Sequence, residues 1–263
     1  MKHIGLFEGI GGFSLAAEML DFNTIAWCEI NKFCIGILSK RFEKANKHYD
    51  IYTTDFSIYR GQCDIITGGW PCPKYSKAGK QEGNEPLKTE LIRATKEIMP
   101  GWFIYENVPG LLTPKLSGEH ASLIDEMESA GYETRTFRIS ANVVGAKQIR
   151  ERVWIVGYNK VAADTNAEAR KLGGLQNEGK TQRAQNGFEL FRNAFRLHWY
   201  EAISRVHRIF NGLPRKLDGH RNAALGNAIV PQVAFQILKT IVQLSERNDE
   251  QGTDVWQGKK EKI

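Results

Sequence analysis

The feature that most constrains this sequence is a hydrophobic period that switches back and forth through residues 1–157. Short apolar or β-branched runs at His3–Phe7, Thr24–Cys28, Asp50–Thr53, Asp64–Thr67, Trp102–Tyr105, Thr134–Ile139 and Val153–Val156 read as strands. Between several of them, Phe13–Leu20, Lys32–Phe42, Thr89–Ile98 and Ala121–Ala130 carry helical spacing. Strand–helix alternation of this kind predicts an α/β fold, a mainly parallel sheet with helices on both faces. Ligands on such sheets bind at the carboxyl ends of the strands, so the residues just after each strand are where chemistry is sought.

Past Gly157 the pattern changes. Residues 158–187 are rich in Ala, Asn, Gln, Gly and Lys and read as loop or irregular structure. An aromatic cluster follows (Phe188, Phe191, Phe195, Trp199, Tyr200), then a helical pattern from Asn227 to Leu244 that includes Val233, Ile237, Leu238 and Ile241. The stretch from Ser245 to Ile263 reads as a polar tail. The organisation expected is a catalytic domain over 1–157, a small basic region over 158–225, a returning C-terminal helix over 226–245 and a tail over 246–263.

Charge singles out the second of these. Tyr158–Leu225 holds twelve Lys/Arg against six Asp/Glu, which leaves 24 of each sign elsewhere and places the whole net charge of +6 in one segment. That distribution suits a segment facing a polyanion, although a solvated basic surface would look the same. No apolar run approaches the roughly 20 residues of a membrane span, and no signal peptide is evident, so a cytoplasmic protein without a membrane partner is expected. The cysteines Cys28, Cys34, Cys63 and Cys72 lack paired C-x-x-C spacing, which argues against zinc and against a disulfide framework. No metal is expected.

Four segments carry candidate chemistry. Leu6-Phe7-Glu8-Gly9-Ile10-Gly11-Gly12 follows the first strand, where glycines let a backbone approach a ligand with its N–H groups free. Glu29 and Asp55, after the second and third strands, suit a ribose diol and an exocyclic amine; taken singly, each also reads as a solvated loop acid. Gly68-Gly69-Trp70-Pro71-Cys72-Pro73 sets a thiol between two prolines, which stiffens the backbone that aims it; alone, it is also simply a rigid turn. Glu106-Asn107-Val108 ends a strand facing the same crevice, where its acid serves as a proton donor or caps a nearby amide. Gln148-Ile149-Arg150-Glu151-Arg152 precedes the last strand and puts two guanidinium groups on one side, to hold an anion or to form an edge-strand ion pair.

In this order, Phe7-x-Gly9-x-Gly11-Gly12, Gly69-x-Pro71-Cys72, Glu106-Asn107-Val108, Gln148-x-Arg150-x-Arg152-Val153 and Gly226-Asn227-x-x-x-Pro231 resemble the DNA cytosine-C5 methyltransferase family, over residues 6 to 231. The short layout is similar to small members encoded by prophages and other mobile elements. The resemblance implies a Rossmann-like fold that binds S-adenosylmethionine, and double-stranded DNA as the partner. It implies that the thiolate of Cys72 adds to C6 of a flipped cytosine, that Glu106 contacts N3 and the amine, and that Arg150 and Arg152 orient the base. It assigns Phe7, Gly9, Gly11 and Gly12 to the methionine part of the donor, Glu29 to the ribose, and Asp55 to the adenine amine. Ile30 and Phe56 would pack near the ring, with Leu87 a further adenine-pocket residue. Gly69 and Pro71 lie along the donor site, and Asn227 and Ala228 would close it.

Several departures stand out. Trp70 replaces the more usual Pro or Phe, and Pro73 the usual Gln, while the surroundings of Leu87 lack the Asp-Arg of the family. The variable segment, about Tyr158 to Arg205, is short, which implies a short or relaxed recognition sequence. A monomer is expected, and no restriction partner is named by the sequence. Competing readings are an RNA (tRNA) cytosine-C5 methyltransferase and a catalytically silent DNA-binding relative, though the latter predicts loss of Cys72 or Glu106. A dehydrogenase leaves the Pro-Cys, Glu-Asn-Val and Arg motifs without a role.

Overall fold

A computed structural model describes residues 1–71, 85–146, 149–172 and 224–251. Its centre is a seven-stranded sheet: β1 (Lys2–Leu6), β2 (Asn23–Cys28), β3 (Asn46–His48), β4 (Ile65–Gly68), β5 (Trp102–Asn107), β6 (Glu133–Ser140) and β7 (Glu151–Tyr158), in the order 3-2-1-4-5-7-6. All strands run parallel except β7, which is antiparallel to both β5 and β6. This is the doubly wound Rossmann order 3-2-1-4-5-6 with one reversed strand wedged between the last two.

The main α-helices among the described residues are α1 (Gly12–Glu18), α2 (Lys32–Arg41), α3 (Glu85–Ile98), α4 (Ser117–Ser129), α5 (Lys160–Leu172) and α6 (Pro231–Gln251). Because successive strand residues face opposite sides, each strand feeds two cores. On β5, Phe103 and Tyr105 join Leu91, Ile98, Leu123 and Met127 on the α3/α4 side. Trp102 and Ile104 join Phe13, Ala17, Val233, Phe235 and Leu238 on the α1/α6 side. Between those layers the buried His3 bridges three strands, its Nδ1 3.0 Å from Thr24 Oγ1 and its Nε2 2.8 Å from Thr67 Oγ1. Burial pushes its pKa down to about 3.

Three expectations need correction. The third strand is Asn46–His48, not Asp50–Thr53, which is a turn. There Asp50 bends the chain with its own groups: Oδ1 accepts from the Tyr52 N–H at 2.9 Å, and its carbonyl accepts from Thr54 Oγ1 at 2.6 Å. Residues 160–172 form helix α5 rather than loop. Asn159 caps it through Oδ1 to Ala162 N (3.0 Å), and Asn166 Nδ2 donates to Cys63 O at 2.8 Å. The helix lies so close to the start of β5 that a Cβ on Gly101 would be 2.8 Å from that of Ala163. Small and polar residues thus form its packing face. Finally, α6 runs on to Gln251, past the point where a tail was expected.

The segment Ala224–Ser245 is long and apolar enough to cross a membrane by length and composition. Its apolar residues Ile229, Val230, Val233, Ala234, Phe235, Leu238 and Ile241 are nevertheless buried in the α1-side core.

Candidate active site

The turn after β1 takes its shape from left-handed backbone at Phe7 (φ 51°), Gly9 (φ 59°) and Gly11 (φ 89°). Phe7 carries a real side chain in that region, a local strain held by the surrounding packing. Glu29, just past β2, grips this turn. Its Oε2 accepts from Gly9 N and its Oε1 from Asn31 N, both at 2.7 Å. Beside it Ile30 is 71% exposed, an apolar surface left bare at the strand ends. A Cβ on Gly9 would meet no atom within 4 Å, so the turn borders open space.

Sequence reasoning passed over Glu8. It is buried: Oε1 accepts from Ser14 N at 2.8 Å, while Oε2 has no hydrogen-bond partner. That carboxylate folds back over β1, 1.9 Å from where a Cβ on Gly5 would stand. Burial raises its pKa to about 7; the Ser14 amide opposes the shift and the charge of Glu29 adds to it. The signal available was an acid inside a glycine turn, where a small residue costs least.

Asp55 lies after the Asp50 turn, fully in solvent, with Oδ1 accepting from Ser57 N at 2.9 Å. Its bonds to Ser57, and then the charge of Arg93, hold its carboxyl below the usual carboxylate range. Phe56 is fully buried, its ring edge-on to His48 at 5.6 Å. Leu87, on α3, is partly buried against the same core as Phe56.

The catalytic half converges at the ends of β4, β5 and β7. Asn107 Nδ2 donates to Trp70 O at 3.3 Å, and the buried Trp70 ring sits edge-on to Tyr105, which ties the Gly69-Trp70-Pro71 backbone to β5. A Cβ on Gly69 would lie 3.3 Å from Glu106 Oε2. Glu106 is buried, and its Oε1 is 2.8 Å from Arg152 Nε across the β5–β7 pair. Burial raises its pKa, and the charges of Arg152 and Arg150 work against that rise. Arg150 Nη2 donates to Ala228 O at 2.8 Å, so the strand-entry arginine reaches the C-terminal segment. Burial, then the charge of Arg152, lowers its pKa.

Ile229, also passed over, wedges between two glycine turns. Its side chain would be 2.7 Å from a Cβ on Gly12 and 3.9 Å from one on Gly69. Asn227 is exposed beside it. The expected nucleophile Cys72 and the motif residue Gln148 lie outside the described residues, as do the aromatic cluster and most of the basic segment. The three described cysteines are free and buried. Burial pushes the Cys28 and Cys63 thiols up to about 12 and that of Cys34 to about 11, which leaves them poor nucleophiles.

A family profile described as C-5 cytosine-specific DNA methylase matches residues 1–208. The type II methyltransferase M.PspPI of Psychrobacter sp. (strain TA137) is 34% identical over 194 residues, 65% of this chain and 46% of that protein. M.FnuDI of Fusobacterium nucleatum is 35% identical over 172 residues, 64% of this chain and 50% of that one. The chain thus spans about half the length of the curated relatives it matches. Among solved structures, a putative DNA modification methyltransferase encoded within an Escherichia coli prophage superposes with a TM-score of 0.53 at 27% identity, over 61% of this chain and 47% of that one. With that profile covering most of the chain, the protein belongs to the C-5 cytosine-specific DNA methylase family.

Proposed function

We propose that this protein transfers a methyl group from S-adenosylmethionine to C5 of a cytosine flipped out of duplex DNA, through a transient bond between Cys72 and C6. The observation that carries this reading is the buried Glu106 carboxyl, ion-paired to Arg152 and set against Gly69, three residues before Cys72.

The residues fit the donor. Glu29 has lone pairs left on both oxygens for a ribose diol, Ile30 offers an apolar face for a flat ring, and Asp55 is held ionised as an acceptor. When bound, S-adenosylmethionine supplies an electrophilic methyl on a sulfonium sulfur.

In the proposed sequence the Cys72 thiolate forms an S–C6 bond, and the pyrimidine double bond becomes a nucleophilic carbon at C5. Glu106 holds N3 and the exocyclic amine, stabilising the charge moved onto the ring. A buried carboxyl with a raised pKa suits this role, because it is able to donate a proton to N3. Arg152 fixes its orientation. As C5 takes the methyl, the donor's S–CH3 bond would break and leave S-adenosylhomocysteine; a base then removes the C5 proton, the S–C6 bond breaks, N3 returns its proton to Glu106 and the thiolate leaves with the double bond restored. Extruding the base costs roughly a few kcal/mol.

The protein acts as a cytoplasmic monomer in this reading, with the 158–225 segment facing DNA. The family described above and its relatives support duplex DNA over tRNA as substrate. DNA carrying 5-fluorocytosine, whose C5 fluorine cannot leave as a proton does, should trap a denaturant-resistant adduct with the wild type and none with Cys72→Ala. Methyl incorporation into tRNA but not duplex DNA would overturn the choice of substrate, and a trapped adduct in Cys72→Ala would overturn the nucleophile.

A further inference from the structure

We propose that Arg93 and Glu97, on α3, are positioning residues that set the protein's discrimination for the adenine end of the donor. The inference rests on the donor reading above. The loop presenting Asp55 and Phe56 belongs to no strand, since β3 has already ended at His48. What holds it is a pair of side chains from α3. Arg93 Nη2 donates to Ile51 O at 2.6 Å, and both terminal nitrogens donate to Thr54 O at 3.3 Å, spanning 39 and 42 residues of sequence. The remaining donors are taken up on α3 itself, Nη1 by Glu97 Oε1 and Nε by Glu90 Oε2, each at 2.6 Å. A guanidinium has five N–H groups in a fixed fork, and here five hydrogen bonds account for them.

Glu97 completes the grip, because its other oxygen, Oε2, accepts from Phe56 N at 3.0 Å. The guanidinium carbon also stands 6.0 Å from the centroid of the buried Phe56 ring. Asp55 therefore sits between two clamped neighbours, Thr54 through its carbonyl and Phe56 through its amide. Its own side chain is free in solvent apart from its bonds to Ser57. A hydrogen bond to adenine is sensitive to distance and angle, so the register of this loop governs whether Asp55 meets the amine. An i,i+4 Arg–Glu pair on a helix surface is ordinarily a minor contribution to stability. This pair differs because most of the arginine's reach goes to carbonyls of a segment that presents a candidate ligand contact.

The test compares binding of S-adenosylhomocysteine with S-inosylhomocysteine, in which the adenine amine is replaced by a carbonyl oxygen, by calorimetry on the full chain. The wild type should prefer the adenosine compound by about tenfold or more, the worth of a hydrogen bond to a charged acceptor, and Asp55→Asn should collapse that preference. Arg93→Lys keeps the charge and loses the fork; Glu97→Ala releases Phe56. Both should narrow the preference severalfold, and do so beyond any common loss of affinity. If the two variants weaken both compounds equally, or leave the preference intact while lowering the thermal midpoint, the clamp is structural only and the proposal is overturned. Failure of the wild type to bind either compound would sink the donor reading, a distinct outcome.

Discussion

Glu106 and Arg152 meet diagonally across the antiparallel β5–β7 pair, 2.8 Å apart, with the acid buried and the guanidinium mostly so. Removing one member strands the other charge. Arg152→Met should destabilise the fold at neutral pH by about 3 kcal/mol, the usual scale for an orphaned buried ion. It should also drive the Glu106 pKa further up, since the arginine is the main influence opposing burial. A carboxyl whose folded pKa is raised contributes stability at low pH and loses it as pH rises through that value. The variant's deficit should therefore shrink on acidification; chemical denaturation at pH 5.5 and 8 measures it.

Thiol reactivity gives a second check. Burial holds Cys28, Cys34 and Cys63 well above the usual thiol range, so at pH 7.5 they carry almost no thiolate. Brief alkylation of the native protein followed by peptide mass spectrometry should label Cys72 at least tenfold faster than any of the three. Equal labelling of Cys28 would contradict the buried environment found for it.

Two buried groups should leave opposite marks on the pH dependence of stability. His3, lowered to about 3, makes stability rise with pH between about 3 and 6.5, because the unfolded chain binds a proton there that the folded one does not. Glu8, raised from 4.5 to about 7, makes stability fall with pH over that window, and Glu106 acts in the same direction. Removing Glu8 removes one of the falling contributions, so Glu8→Gln should make stability rise more steeply with pH than in the wild type between about pH 4.5 and 6.5, by up to about 1.4 kcal/mol per pH unit, the value for one proton. A variant with the parent's slope would show that Glu8 titrates normally.

The concentration of positive charge between Tyr158 and Leu225 predicts a salt effect. If those side chains meet phosphates, log affinity for duplex DNA should fall linearly with log salt, at about 0.9 per phosphate neutralised. A flat titration between 50 and 200 mM, concentrations chosen to bracket the usual range, would remove the segment from the interface.

The strand–helix alternation made the sheet legible in advance, because Phe103, Tyr105, Val153 and Ile155 advertise themselves as apolar pairs with period two. Glu29, Glu106 and the arginines were legible for a different reason: they are polar residues at strand ends, where the fold gathers ligand contacts. Asp50–Thr53 misled because β-branched residues surrounded an acid that bends its own backbone. Helix α5 was missed because small and polar residues, Ala162, Ala163 and Asn166 among them, dominate the segment and gave it the composition of a loop. Arg93 and Ile229 were not legible at all, since their significance lies in what they touch 39 or more residues away, and spacing along the chain does not encode that.

The carboxyl of Glu8 fills the space that any side chain on Gly5 would need. Two positions three apart in sequence therefore share one volume, and the order in which they change matters. Shortening position 8 first opens a void that a later, larger residue at position 5 can fill. Enlarging position 5 first drives it into an oxygen 1.9 Å away and expels the acid from beneath the turn. Substitution histories at this loop should run through the smaller residue, and a library randomised at both positions should return large residues at 5 only together with small ones at 8.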